Sequence, residues 1–235
     1  MALASILIVH FNATVTGYFT LPHKLFTSTL VQGIYLGDFG SSLFFIVSGA
    51  SLALTVPQEQ SPWQFYKKRV KAVFPLFWLA WVVCFSIRFL SQPGCYTGAK
   101  TITLVLTFLG LDNFAVAADW VGMDFACVGE WFLGSILFLY LLFPLLQRAL
   151  RKAPVLTWAV TLLVCIPLHM QGWDNGLVAV HIPEFLFGMT FLTLKDQIKA
   201  ILAPVLVLGL INLPVDEKLL CSMSVSYTHL TLPTN

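Results

Sequence analysis

The chain has 235 residues, of which 58% are hydrophobic and only 10% charged, with a mean hydropathy of +0.84. A soluble domain carries about 25% charged residues, so this composition excludes an ordinary water-soluble globule and points to an all-α, polytopic transmembrane helical bundle. The formal charge of +2 is small, and no basic patch interleaved with aromatics suggests nucleic acid as a partner.

The N-terminus lacks a charged n-region and a small-residue cleavage site, so residues 1–20 read as a first span with His10 near its middle. Residues 21–32 are a short connection, and residues 33–54 form the second span. That span holds Gly37, Gly40 and Gly49 with Ser41, Ser42, Ser48 and Ser51, small residues that let helices approach closely in lipid. Residues 55–71 read as a basic loop carrying Lys67, Lys68, Arg69 and Lys71, and the third span covers 72–89. Nine of the thirteen Lys and Arg fall at 67–71, 148–152 and 195–199, which the positive-inside rule assigns to the cytoplasm.

Those assignments leave one net crossing between residues 90 and 148. The apolar run 101–111 is shorter than the ~20 residues a spanning helix needs. Residues 101–118 are therefore expected to form a half-helix or re-entrant piece on the outer side, and 131–146 the fourth span. Such irregular backbone survives at membrane depth only where protein or a wet cavity surrounds it, so the site is expected to border it. Spans five, six and seven are read at 155–170, 177–194 and 200–213. That makes about seven hydrophobic segments, six to seven of them spans plus the half-helix. The tail SYTHLTLPTN has no hydrophobic periodicity and resembles adapter read-through, so 1–223 is expected to be the domain and 224–235 foreign to it.

Cys84, Cys95, Cys127, Cys165 and Cys221 are scattered, without C-x-x-C spacing, which argues against a zinc or disulfide framework; no metal is expected. Ionisable groups inside spans are costly and read as functional by default. His10 is the first of these, and Glu184 the second, with His181 three residues earlier as a helical partner. Asp38, at the outer end of the second span, is a third, where solvation is the competing reading.

Several pieces, in order, carry a family resemblance. They are ILIVHF around His10, G-x-x-G-x-x-L-F-F-x-x-S-G from Gly37 to Gly49, the basic block followed by FPLFW, WFLGSILFLYLLFP from Trp131, and HIPEFLFGM from His181. Together, over roughly residues 1–195, the chain resembles the acyltransferase-3 family of integral-membrane O-acyltransferases. The resemblance implies a bundle of about ten spans and an Arg ten residues before His10, which would fall before Met1, so a chain truncated at both ends is expected. It implies transfer of an acyl group, acetyl in the first instance, from cytoplasmic acyl-CoA to a hydroxyl of a carbohydrate or lipid-linked glycan. Acyl-CoA is then a co-substrate rather than a bound cofactor, and the setting a bacterial inner membrane with lipid around the chain.

Carried over residue by residue, the resemblance makes His10 the general base, since an imidazole near neutral pKa suits removal of a hydroxyl proton. Arg69 matches one of the family's two arginines, with Lys68 and Lys71 beside it near the phosphates of CoA. The second arginine position is Ala72. A lysine cluster facing anionic lipid is the alternative for this loop. Ser48 and Gly49 match the S-G step that would admit the acyl chain, or they simply pack helices. Trp131 and Tyr140 match the family's aromatic pair supporting the cavity, although Trp131 also suits an interfacial belt. A glutamate common in the family is Ile136 here, and Glu130 reads as pointing elsewhere. Glu184 matches P-E-F-L-x-G, as catalytic residue or as a structural carboxyl. The rival readings are a glycolipid transporter or flippase, for which no internal repeat is found, and an inactive membrane fragment.

Overall fold

In the computed structural model, residues 2–17, 23–29, 35–57, 59–118, 120–170 and 181–191 are described. They form eight α-helices: α1 (Ala2–Gly17), α2 (Leu36–Thr55), α3 (Pro62–Ser91), α4 (Thr101–Leu109), α5 (Asp112–Ala117), α6 (Glu130–Lys152), α7 (Pro154–Met170) and α8 (Ile182–Phe191). Among the described residues there is no strand, only an isolated bridge between Thr29 and Tyr35. α2, α3 and α6 are each long and apolar enough to cross a membrane. The protein is an all-helical membrane bundle. The segment 200–213, the basic cluster 195–199 and the tail 224–235 lie outside the described residues.

The helices group into two units. In the first, α1 and α2 cross through small residues: a Cβ on Gly40 would stand 2.7 Å from Ile6 and 3.1 Å from the Ala2 carbonyl. α2 meets α8 more tightly still. Gly49 faces the Phe185 carbonyl and Gly188 faces the Ile46 carbonyl, so each helix offers its bare backbone to the other. In lipid, where no hydrophobic force drives helices together, this close van der Waals approach is what joins them. Phe45, Ile46, Leu52, Phe185, Leu186 and Met189 fill the surrounding core. Asn12 is buried, and its amide both donates to the Phe26 carbonyl (2.8 Å) and accepts from the Phe26 N–H (3.1 Å). That reciprocal pair ties the connection after α1 to the helix.

The second unit is built on α3 and α6, which run antiparallel. Phe65 stacks on Phe143 at 5.1 Å and the Tyr66 hydroxyl donates to the Leu141 carbonyl (3.0 Å) near one end. Toward the other end, Trp81 donates to the Phe125 carbonyl (3.1 Å) and Arg88 to that of Ala126 (3.3 Å). α3 corrects one expectation from the sequence. The basic block lies on helix, not in a loop, because α3 begins at Pro62, ten residues before the apolar run. Proline suits the first turn of a helix, where its missing N–H would have had no partner. Lys, Arg and Gln are good helix formers, so the charged turns continue the helix into the apolar run. α6 likewise runs past residue 146 to Lys152, with Arg151 and Lys152 in its last turn, where positive charge complements the helix dipole.

The segment 101–118 is a broken helix, as its length requires. α4 has nine residues, ~14 Å at 1.5 Å per residue, about half the hydrocarbon thickness of a bilayer. It ends at Gly110, whose φ of +68° is left-handed; Gly110 N–H bonds the Thr107 carbonyl (2.9 Å) and Leu111 N–H that of Leu106 (2.8 Å). This paired pattern closes the helix end and satisfies its last carbonyls. The turn seats on α6: a Cβ on Gly134 would stand 2.8 Å from the Gly110 carbonyl, and one on Gly110 would meet Leu133. Trp78 of α3 stacks on Phe108 at 4.6 Å and donates to its carbonyl (2.9 Å). Tyr96 before α4 and Phe125 after α5 lie together at 5.2 Å, so the chain enters and leaves this segment on the same side. That is the re-entrant course.

Large apolar side chains such as Leu76, Leu79 and Leu90 on α3, and Val155 and Leu163 on α7, are exposed, as suits a surface in lipid.

Candidate functional site

The end of the second unit that carries the basic residues holds one cluster. On α3, Lys67, Lys68 and Lys71 are exposed, while Arg69 is drawn inward. Its guanidinium lies 5.5 Å from the Phe65 ring centroid and 5.7 Å from that of Tyr140. Phe65 in turn meets Tyr140 edge-on at 6.4 Å. The two aromatic rings therefore fix a cation that would otherwise sample many rotamers, an attraction worth roughly 0.5–2 kcal/mol per ring. Arg69 Nε is buried and has no hydrogen-bond partner among the described residues. An arginine so held presents a planar donor set suited to a phosphate oxygen, whereas the neighbouring lysines act as point charges. The fold thus brings together Arg69 and Tyr140, which lie 71 positions apart in the sequence. Ala72 is exposed and Ile136 is buried in the apolar core.

The opposite end of α6 builds a different place. Asp112, Asn113, Asp124, Cys127, Glu130 and Trp131 line a cavity of about 290 Å³. Glu130, which reads from the sequence as pointing elsewhere, is 2% exposed and turns back over the loop before its own helix. Its Oε1 accepts from Cys127 N–H (2.8 Å) and its Oε2 from Val128 N–H (2.9 Å). Asp124 accepts from Ala126 N–H (3.1 Å). Asp112, at the start of α5, accepts from Asn113 N–H through Oδ1 (3.0 Å), while its buried Oδ2 has no hydrogen-bond partner among the described residues. Asp112, Asp124 and Cys127 lie outside the spanning helices. Burial first, and the Asp124 charge second, push the Asp112 carboxyl up to about 6; Glu130 adds to this, while the Asn113 N–H and the Thr107 hydroxyl oppose it. Burial, then Glu130, pushes the Cys127 thiol up to about 12, so it stays protonated and is a poor nucleophile. Trp131, expected as cavity support, is half-exposed and lines this cavity. Sequence reasoning misses Asp112 and Asp124. A signal for them exists: four of the chain's eleven acidic residues, Asp112, Asp119, Asp124 and Glu130, crowd into the stretch around the re-entrant piece.

In the first unit, the structure brings Glu184 to Ser42. Glu184 is 5% exposed, and the Ser42 hydroxyl donates to its Oε1 at 2.6 Å. A serine from α2 thus meets the carboxyl of α8 close to the glycine crossing, whereas the sequence marks Ser42 only as a packing residue. Ser48 is half-buried, and its neighbour Gly49 packs against the Phe185 backbone. Asp38 lies in the first turn of α2, partly exposed, with its charge acting on Tyr35. His10 is exposed on α1, on the side away from the buried Ser5, Asn12 and Val15. Among the described residues no group of three His, Cys, Asp or Glu is placed to hold a metal ion.

A family model described as an acyltransferase domain matches residues 1–215. The acyltransferase MdmB of Streptomyces mycarofaciens is 30% identical over 146 residues, which is 56% of this chain and 35% of that protein. The chain thus spans about a third of the length of this curated relative. No solved structure matches it.

Proposed function

Since the chain belongs to the acyltransferase-3 family, we propose that the protein it represents transfers an acyl group, acetyl in the first instance, from acyl-CoA to a hydroxyl of a carbohydrate or lipid-linked glycan. The observation that carries the donor side is Arg69, clamped by Phe65 and Tyr140 beside three exposed lysines. Positive charge at this end of α3 and at the matching end of α6 supports a cytoplasmic orientation, in a bacterial inner membrane, where acyl-CoA is available.

Arg69, with Lys68 and Lys71, would bind the phosphates of CoA. His10 would take the proton of the acceptor hydroxyl as its oxygen attacks the thioester carbonyl. The C–S bond then breaks, the new ester keeps the acyl group, and the CoA thiolate leaves and takes up a proton. Glu184, already committed to Ser42, would hold α8 against α2 rather than exchange protons with substrate. Asp38 and Ser48 would line the approach, and Tyr140 would act through Arg69.

The test is transfer of radiolabelled acetyl from acetyl-CoA to membrane glycan in proteoliposomes of the full protein. His10→Ala should lower kcat by at least 100-fold with KM for acetyl-CoA little changed. Arg69→Ala should raise that KM about tenfold or more, with partial recovery in Arg69→Lys. Full turnover by His10→Ala would refute its role as base, and an unchanged KM in Arg69→Ala would refute the donor site.

A further inference from the structure

The cavity between α5, the 120–129 loop and the start of α6 has no part in the proposed chemistry. Three carboxyl groups, those of Asp112, Asp124 and Glu130, line it, and none of its described lining residues is Lys, Arg or His. Glu130 spends both oxygens on backbone N–H groups, so its charge is fixed in place as part of the wall. Asp112 is 1% exposed and retains a buried Oδ2 that accepts no hydrogen bond from the described residues. The Thr107 hydroxyl lies close enough to act on the Asp112 carboxyl, but its single proton goes to the Thr103 carbonyl (3.0 Å). A buried carboxylate oxygen without a donor costs about 1–3 kcal/mol or more, which a ligand donor would recover. Arg88 of α3 approaches the same loop, and its charge acts on Cys127. Its guanidinium lies 5.4 Å from the Tyr96 ring and bonds the Ala126 carbonyl, so it is held by the loop.

A ring, carboxylates and an unfilled acceptor are the elements with which proteins bind an ammonium group. We infer that this cavity binds an organic cation, the ammonium group of an amine-bearing acceptor, with Asp112 and Asp124 accepting its N–H donors and Trp131 contributing an aromatic wall. A metal ion is the less suitable occupant, because among the described residues these carboxyls are not placed to ligate one together. The volume of about 290 Å³ lies at the small end of ligand pockets and suits a headgroup such as one sugar rather than a whole glycan. Calling this ligand the acceptor rests on the acyltransferase reading; the cation site itself does not.

The test is binding, read apart from turnover. The purified full chain in detergent micelles is titrated at pH 7.5 with D-glucosamine and with N-acetyl-D-glucosamine, which differ in carrying or lacking the positive charge. Glucosamine should bind at least tenfold tighter than its neutral counterpart. Asp112→Asn, close to isosteric, and Asp124→Asn, on a partly exposed side chain, should each erase that preference. Equal binding of the two sugars, or a preference that survives both substitutions, overturns the proposal. Should Asp112→Asn fail to fold, Asp124→Asn alone decides: loss of the preference supports the site and its survival overturns it. A chain that binds glucosamine selectively but transfers no acetyl group leaves this site standing and refutes the proposed function; transfer without selectivity does the reverse.

Discussion

Asp112→Asn is expected to stabilise the protein at neutral pH. The carboxyl is 1% exposed, has one unpartnered oxygen among the described residues, and shares its cavity with Asp124 and Glu130. Burial and the Asp124 charge move its pKa from 3.8 to about 6. With a folded pKa above the unfolded one, the native state binds the extra proton. Stability is then full below about pH 4, falls as pH rises through about 6, and stays low above it. Two pK units at about 1.4 kcal/mol each set the loss at ~3 kcal/mol by pH 7.5. Asparagine keeps the acceptor for the Asn113 N–H, removes the ionisation, and sets an amide donor toward the remaining carboxylates. Unfolding in mixed micelles, titrated with SDS at several pH values, measures the difference between wild type and variant and so cancels every other titrating group. The expected gap is ~2–3 kcal/mol in favour of the variant at pH 7.5, shrinking to about zero at pH 4. A variant less stable than wild type at pH 7.5, or a gap that does not change with pH, would refute the reasoning. A gain in stability paired with loss of cation binding would mark Asp112 as a residue held for function at a cost to the fold.

Further outcomes follow from other contacts. Gly188→Leu places side-chain atoms where the Ile46 carbonyl lies, so α8 must leave α2; a loss of at least ~2 kcal/mol in the same SDS titration is expected. Ser42→Ala strips the buried Glu184 of the hydroxyl donor and should cost ~1–3 kcal/mol, with Glu184→Gln recovering part of it in the double variant. Independent, additive costs in those two variants would sink that pairing. Cys127, its thiol pushed up to about 12, should resist maleimide at pH 7.5 for hours in the native chain and react within minutes once SDS unfolds it. Native-state labelling at the unfolded rate would contradict the raised pKa of that thiol.

Much of the architecture is legible from periodicity and charge. The run 101–111 is too short to span, and the structure breaks it at Gly110 and returns it to its own side. The small residues of α2 announce close packing, and Gly49 delivers it. What escapes the sequence is set by contacts distant along the chain. Charge makes residues 62–71 look like loop, whereas Phe65 and Tyr66 anchor them to α6 as helix. Glu130 sits at a helix start, where an acid is unremarkable, and only the fold of the preceding loop sends its carboxylate back over Cys127 and Val128. Nothing local to Asp112 signals that α5 will bury it. Ser42, one of four serines in its span, is distinguished from the others only by the arrival of Glu184.

That meeting sets a schedule for synthesis. Ser42 and Glu184 are 142 residues apart. At ~5–20 residues per second, α2 leaves the ribosome roughly 7–28 s before its partner carboxyl is made. Through that interval Ser42, Gly49 and the bare backbone around them face whatever the insertion machinery offers. Glu184 then enters the bilayer as the costly member of the pair and finds a donor already waiting. The order matters, because an acid arriving first would have to cross hydrocarbon unaided. Assembly of this unit is therefore a long-range event, gated by translation, and a ribosome stalled before residue 184 would hold α2 with its seam still open.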